Sequence, residues 1–343
     1  MSTTFTFLSQ GVTCAATHYE PEVSRLAGAR TSTTGPAEVL EVRGAPAPSL
    51  ETTGTGAPVV VLAHGLAGTQ DSGLAPFAEA FAGAGFHAVT FDYRGFGLSE
   101  GEPRQTVSLA GQAADLDAAI AAAKRLPGVD PSRVVLWGIS LGGGHVVTVA
   151  AGRTDIAAVV SAVPLVDGLA AARLATQHHR PSQLLASTGR GMVSAARRKA
   201  GRGSVMIPVV ARPGEVGALT VSGALEDYLS VAGPSWRNEV GADVTMELGS
   251  RAAAKAAKRL TVPWLVQIAD FDRSAPPQAS AKAAFNGRAE VRHYPCDHFD
   301  LFPGKDWHEP AVAHALHFLQ RHLGFEARTL APQPPVGEEV EHA

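Results

Sequence analysis

Arg133-Val134-Val135-Leu136-Trp137-Gly138-Ile139-Ser140-Leu141-Gly142-Gly143-Gly144 decides how this chain is read. Arg133–Trp137 has the apolar pattern of a buried strand, and Gly142–Ala151 that of a helix. Between them, Gly138 and Gly142 flank Ser140 at two-residue spacing. A nucleophile on so tight a strand-to-helix turn takes a strained backbone, and its neighbours two positions away must lack bulk. The helix that follows points its dipole and free N–H groups at developing negative charge. Gly143 predicts close approach of that helix to a sheet. The bland alternative is an ordinary Gly-rich turn. A phosphate loop is excluded because no Gly-Lys-Ser/Thr follows.

Outward from this turn the chain alternates. Val59–Ala63, His87–Phe91, Ile156–Val163, Pro263–Ile268 and Ala289–Tyr294 read as further strands. Leu74–Gly85, Val107–Leu126, Gln278–Phe285 and Glu309–Leu323 read as helices. Alternation of this kind builds an α/β fold with a mainly parallel, twisted sheet flanked by helices. Thr4–Tyr19 predicts one or two edge strands. Ser24–Pro58 is rich in Gly, Pro and Thr and reads as a long connection, with a short strand candidate at Glu38–Val42. Residues 164–260 separate two sheet strands by far more than a crossover needs and are expected to form an inserted helical cap. The core is thus divided into 1–163 and 261–324, with a disordered tail over 325–343.

The partners of Ser140 follow from chain order, Ser then Asp then His. His298, in Tyr294-Pro295-Cys296-Asp297-His298-Phe299-Asp300 past the last strand, is the candidate base; the alternative is a surface loop histidine. The candidate acid is Asp272, with Asp270 and Asp167 as competitors. Its task is to hold the imidazole in the right tautomer and to stabilise the imidazolium. His64-Gly65-Leu66 follows Val59–Ala63. The backbone N–H groups of Leu66 and Leu141 are the expected oxyanion donors. His64 is read as a structural hydrogen-bonder. Asp92 and Arg94 are expected to pair with each other, and a direct catalytic role for Asp92 is the weaker reading. Cys296 reads as a small buried thiol.

Composition bounds the function. The 343 residues carry a net charge of −3 and 45% hydrophobic residues. That supplies a core and argues against general nucleic-acid binding. Two cysteines, Cys14 and Cys296, make neither a disulfide framework nor a cysteine zinc site. No apolar run is long enough to span a membrane, and the N-terminus lacks a secretory pattern, so a cytoplasmic protein is expected. Residues Pro164–Pro213 hold eight Lys/Arg against one acid, Asp167. This run reads as a solvated helix face. The sharper reading puts Arg197 and Arg198 at a cleft mouth, where they attract an anionic substrate group.

Together, VVVLAHGLAGT, FDYRGFGLSEG, LWGISLGGG, Asp272 and YPCDHFD resemble the α/β-hydrolase superfamily over about 59–163 and 260–323. The closest likeness is to capped bacterial serine hydrolases of the dienelactone-hydrolase-like and prolyl-peptidase-like groups. Dienelactone hydrolases proper carry Cys at the turn, where this chain has Ser140. The resemblance implies acyl transfer to water on a small-molecule ester, with no metal or organic cofactor. Amide or peptide cleavage, transfer to another acceptor, perhydrolysis and C–C hydrolysis use the same apparatus. A non-catalytic binding protein on this fold is the alternative of another class. Nothing in the pattern specifies an oligomeric state.

Overall fold

The computed structural model describes residues 1–21, 39–40 and 56–324. The strands in chain order are β1 Ser2–Ser9, β2 Val12–Tyr19, β3 Val39–Leu40, β4 Ala57–Ala63, β5 His87–Phe91, β6 Val129–Ile139, β7 Ala158–Ala162, β8 Met206–Ile207, β9 Val240–Gly241, β10 Trp264–Ala269 and β11 Glu290–Tyr294. The helices are α1 Ala75–Gly83, α2 Leu109–Ala123, α3 Leu141–Ala150, α4 Gly168–His178, α5 Pro181–Lys199, α6 Ala224–Val231, α7 Val244–Gly249, α8 Ala253–Ala257, α9 Pro277–Asn286 and α10 His308–Leu323.

Among the described residues the main sheet has nine strands, ordered β11-β10-β7-β6-β4-β5-β2-β1-β3. From β11 to β5 all pairings are parallel. In β5, β7 and β10 every residue is buried, as is all of β4 after Ala57. A parallel strand covered on both faces needs such continuous apolar runs. In β1 and β2, by contrast, buried and less buried residues alternate, with Phe5, Phe7, Cys14, Ala16 and His18 turned inward. Gln10 and Gly11 both take positive φ between the strands, the geometry of a two-residue hairpin turn. The hairpin does not simply form the sheet's edge, as the sequence suggested. β2 is interior, antiparallel to both β1 and β5.

Of the expected connection over 24–58, only β3 and the residues from 56 onward are described. The expected tail over 325–343 lies outside the described residues. Residues 164–260 hold α4 to α8 and the two-stranded pair β8–β9. The two arms of this stretch are stitched together. Gly168 N–H donates to the Arg251 carbonyl at 2.9 Å, and Ala254 N–H to the Val166 carbonyl at 2.9 Å. Among the described residues no helix is long and apolar enough to cross a membrane.

Candidate active site

Ser140 lies between β6 and α3, in the middle of the sheet. Its φ of 57° and ψ of −120° are the strained turn that the flanking glycines permit. A Cβ on Gly138 would meet the Gly142 carbonyl oxygen at 2.4 Å, and one on Gly142 the Ala63 and His64 carbonyl oxygens at 2.3 and 2.4 Å. A Cβ on Gly143 would press Pro164 at 2.9 Å. The Ser140 backbone is held from both sides, its N–H donating to Ala162 and its carbonyl accepting from Leu165.

Asp272 and His298 follow β10 and β11, at the same carboxyl end of the sheet. His298 Nε2 lies 3.0 Å from Ser140 Oγ, and His298 Nδ1 lies 2.7 Å from Asp272 Oδ2. The other Asp272 oxygen accepts from the Ser274 and Ala275 N–H groups, each at 2.7 Å. That fixes the carboxylate and leaves Oδ2 for the imidazole. Both side chains are almost fully buried. Burial alone would disfavour imidazolium; the charge and hydrogen bond of Asp272, with the charge of Asp297, outweigh it and raise the His298 pKa above the ordinary imidazole value. The competing acids are engaged elsewhere. Asp270 pairs with His293 at 2.6 Å, and Asp167 caps α4 through the Ala170 N–H.

Gly65 lets the loop after β4 reach the serine, since a Cβ there would sit 3.2 Å from Ser140 Cβ. Leu66 and Leu141 both line the same cavity as Ser140 and His298. Leu141 is the first residue of α3, whose N–H has no intrahelical acceptor. Tyr228 Oη donates to the Leu66 carbonyl at 2.7 Å and so pins that peptide. Tyr228 reaches it from α6 and stacks on Trp236. His64 is buried, its Nε2 donates to the Ser72 carbonyl at 2.6 Å, and burial pushes its pKa down to about 4. It is a neutral strut. Burial, with several nearby carboxylates, pushes the Cys296 thiol up to about 12, so it stays protonated.

The expected Asp92–Arg94 pair does not form. Arg94 turns to Asp115 on α2, with Nη2 to Oδ1 at 2.7 Å. Asp92 accepts from the backbone N–H groups of Gln70 and Leu98. The chain bends sharply after β5, and buried Asp92 ties two loops together there.

Ser140 opens into a cavity of about 640 Å³ between the sheet and residues 164–260. Leu165, Ala171, Ala175, Leu184, Leu219 and Leu248 give it much of its apolar wall. Of the eight basic residues in Pro164–Pro213, only Arg190 lines it. Arg198 instead pairs with Asp243, and Arg197 donates to the Arg202 carbonyl. His179 also lines the cavity, a position the sequence did not single out. A recess of about 20 Å³, room for roughly one water molecule, lies against Gly65, Leu66, Ser140 and His298. Among the described residues no group of three His, Cys, Asp or Glu side chains is arranged to hold a metal ion.

Comparison with known proteins agrees with this architecture. Residues 58–305 match the model of a family described as alpha/beta hydrolase fold. The quorum-quenching protein AidA of Acinetobacter baumannii is 34% identical over 273 residues, covering 79% of this chain and 88% of that protein. The polyketide transferase grgF of Penicillium sp. is 24% identical over 277 residues, covering 78% and 89%. The crystal structure of the alpha/beta hydrolase GrgF from Penicillium sp. sh18 superposes with a TM-score of 0.71 at 20% identity, covering 95% of this chain and all of that one.

Proposed function

The chain belongs to the α/β-hydrolase fold family, and from that premise we propose that it is a serine hydrolase cleaving carboxylic esters of apolar acyl groups. The observation that carries this reading is the buried path from Asp272 through His298 to Ser140 Oγ, at 2.7 and 3.0 Å, ending on the floor of a large apolar cavity. Ser140 Oγ attacks the ester carbonyl carbon and its proton passes to His298 Nε2. Asp272 holds the Nδ1–H and stabilises the imidazolium. The Leu66 and Leu141 N–H groups stabilise the oxyanion. His298 then gives its proton to the leaving alkoxide, and the acyl group stays on Ser140. A water deprotonated by His298 attacks the acyl-enzyme and frees the acid, restoring Ser140. The recess beside Ser140 and His298 supports a water in that place. Residues 164–260 act as the cap that sets the acyl group.

A second reading, acyl transfer to an alcohol or thiol, uses the same acyl-enzyme. It is favoured by the relative named a polyketide transferase and by the size of the cavity. The test is a panel of p-nitrophenyl esters from acetate to dodecanoate with matched anilides, each run with and without an added alcohol acceptor. Ester hydrolysis that rises with chain length is expected. Anilides cleaved as fast as esters, or product found only on the acceptor, would replace this reading.

A further inference from the structure

Arg251 is 6% exposed, and among the described residues no carboxylate pairs with it. Burial lowers its pKa only to about 10, so it is a cation at neutral pH. An unpaired buried charge is costly, and the fold makes room for this one. A Cβ on Gly144 would lie 2.7 Å from both Arg251 Nε and Nη2. The guanidinium reaches the back of the serine turn. Nη2 donates to the Leu141 carbonyl at 3.1 Å and Nε to the Leu165 carbonyl at 3.4 Å. Leu165 N–H in turn holds the Ser140 carbonyl at 2.9 Å. Arg251 itself stands where the two arms of residues 164–260 meet, its own carbonyl accepting from Gly168 N–H.

We propose that Arg251 is a positioning residue for the reaction: through the Leu141 and Leu165 carbonyls it fixes the serine turn, and its buried charge stabilises the oxyanion held at Leu141. Its hydrogen bonds alone would brace the turn, but a neutral donor does that without the desolvation cost. The charge is what a neutral side chain lacks. In a buried setting a cation behind the oxyanion donor strengthens as negative charge develops and does little for the neutral ester. The cap is thereby mechanically joined to the catalytic turn.

The proposal rests on the serine-hydrolase reading, and the experiment separates the two. Wild type, Arg251→Lys and Arg251→Gln are assayed on one ester, and their affinity for a trifluoromethyl ketone, which forms a tetrahedral oxyanion on the serine, is measured. Lys keeps the charge; Gln keeps a donor without it. Gln is expected to lower kcat about 10- to 100-fold, with KM within about threefold, and to weaken the ketone by a similar factor. Lys is expected to stay within about threefold of wild type in all three. Equal losses in Lys and Gln, a loss confined to KM, no loss in Gln, or failure of both variants to fold would make Arg251 a purely structural group and overturn the proposal. A wild-type protein without ester turnover or ketone binding would instead remove the hydrolase reading beneath it.

Discussion

The serine turn and the two long helices above it are built under opposite constraints. From Val134 to Val147 every residue but Ser140 is buried, and three glycines are squeezed against backbone. In α4 and α5 only Gly168, Gly191 and Ser194 are buried, while Leu169, Leu185, Met192 and Val193 face outward. The first region has no slack, so its side chains hold one geometry. The second lines the cavity with one face and meets solvent with the other. The proposed function puts the chemistry in the region without slack and substrate choice in the region with it.

The sharpest test of that division is at the turn. Ser140→Ala and His298→Ala should each lower kcat by at least ~10⁴-fold in steady-state ester assays, and the double variant should be little worse, because such groups act as a unit. Near-normal turnover in either would show that the serine turn does not carry the reaction.

Asp272→Asn comes next, with a loss of about 10²–10⁴-fold from the wrong imidazole tautomer. Asp270→Asn should cost less than about threefold. The pH profile adds a sign. With neutral His298 as the proposed base and its pKa raised, kcat/KM should climb with pH through a value above the ordinary imidazole value. Asp272→Asn removes the charge that raises it, so the residual activity should climb at lower pH than in wild type. An unmoved limb would mean that another group titrates.

Acid stability should also divide the molecule. His64 and His18 are buried with pKa values pushed down to about 4, chiefly by burial. His18 Nε2 lies 2.8 Å from His87 Nδ1 within the β2–β5 pairing. A depressed imidazole costs nothing above its unfolded pKa of about 6.5 and destabilises progressively as pH falls towards 4. Each should contribute a loss on the order of 1–3 kcal/mol across that window. Urea denaturation from pH 7 to 4 should show this loss, reduced in His18→Asn. A flat profile would show these histidines to be protonated in the fold.

The smallest effect is expected in the cap. Ala175→Trp fills the cavity beside α4. It should lower kcat/KM for a dodecanoate ester about tenfold and leave an acetate ester within about twofold. Equal losses on both would place Ala175 in the catalytic geometry.

The same division explains what the sequence revealed. The turn was legible because its sterics leave only glycine at 138 and 142. His298 and Asp272 were legible because each follows a parallel strand that ends on the same carboxyl side of the sheet as the strand before Ser140. Arg251 and Tyr228 were not, because they act on carbonyls 110 and 162 positions away, and no local pattern marks such a donor. The Asp92–Arg94 pairing failed for the same reason, Arg94 finding Asp115 on a helix 21 positions on. In the insertion, charge counting favoured a solvated face and offered a cleft role for Arg197 and Arg198 only as the sharper alternative. Only the fold shows them turned to Arg202 and Asp243, with Arg190 and His179 at the wall instead.

In the proposed reaction Ser140 is the nucleophile, activated by His298. Incubation with a fluorophosphonate, followed by intact-mass and peptide mass spectrometry, tests it most directly. One adduct per chain is expected, on the peptide carrying Ser140, absent in Ser140→Ala and slowed at least ~10³-fold in His298→Ala. Wild-type protein that hydrolyses esters while Ser140 stays unlabelled, or labelling that persists undiminished in Ser140→Ala, would contradict it.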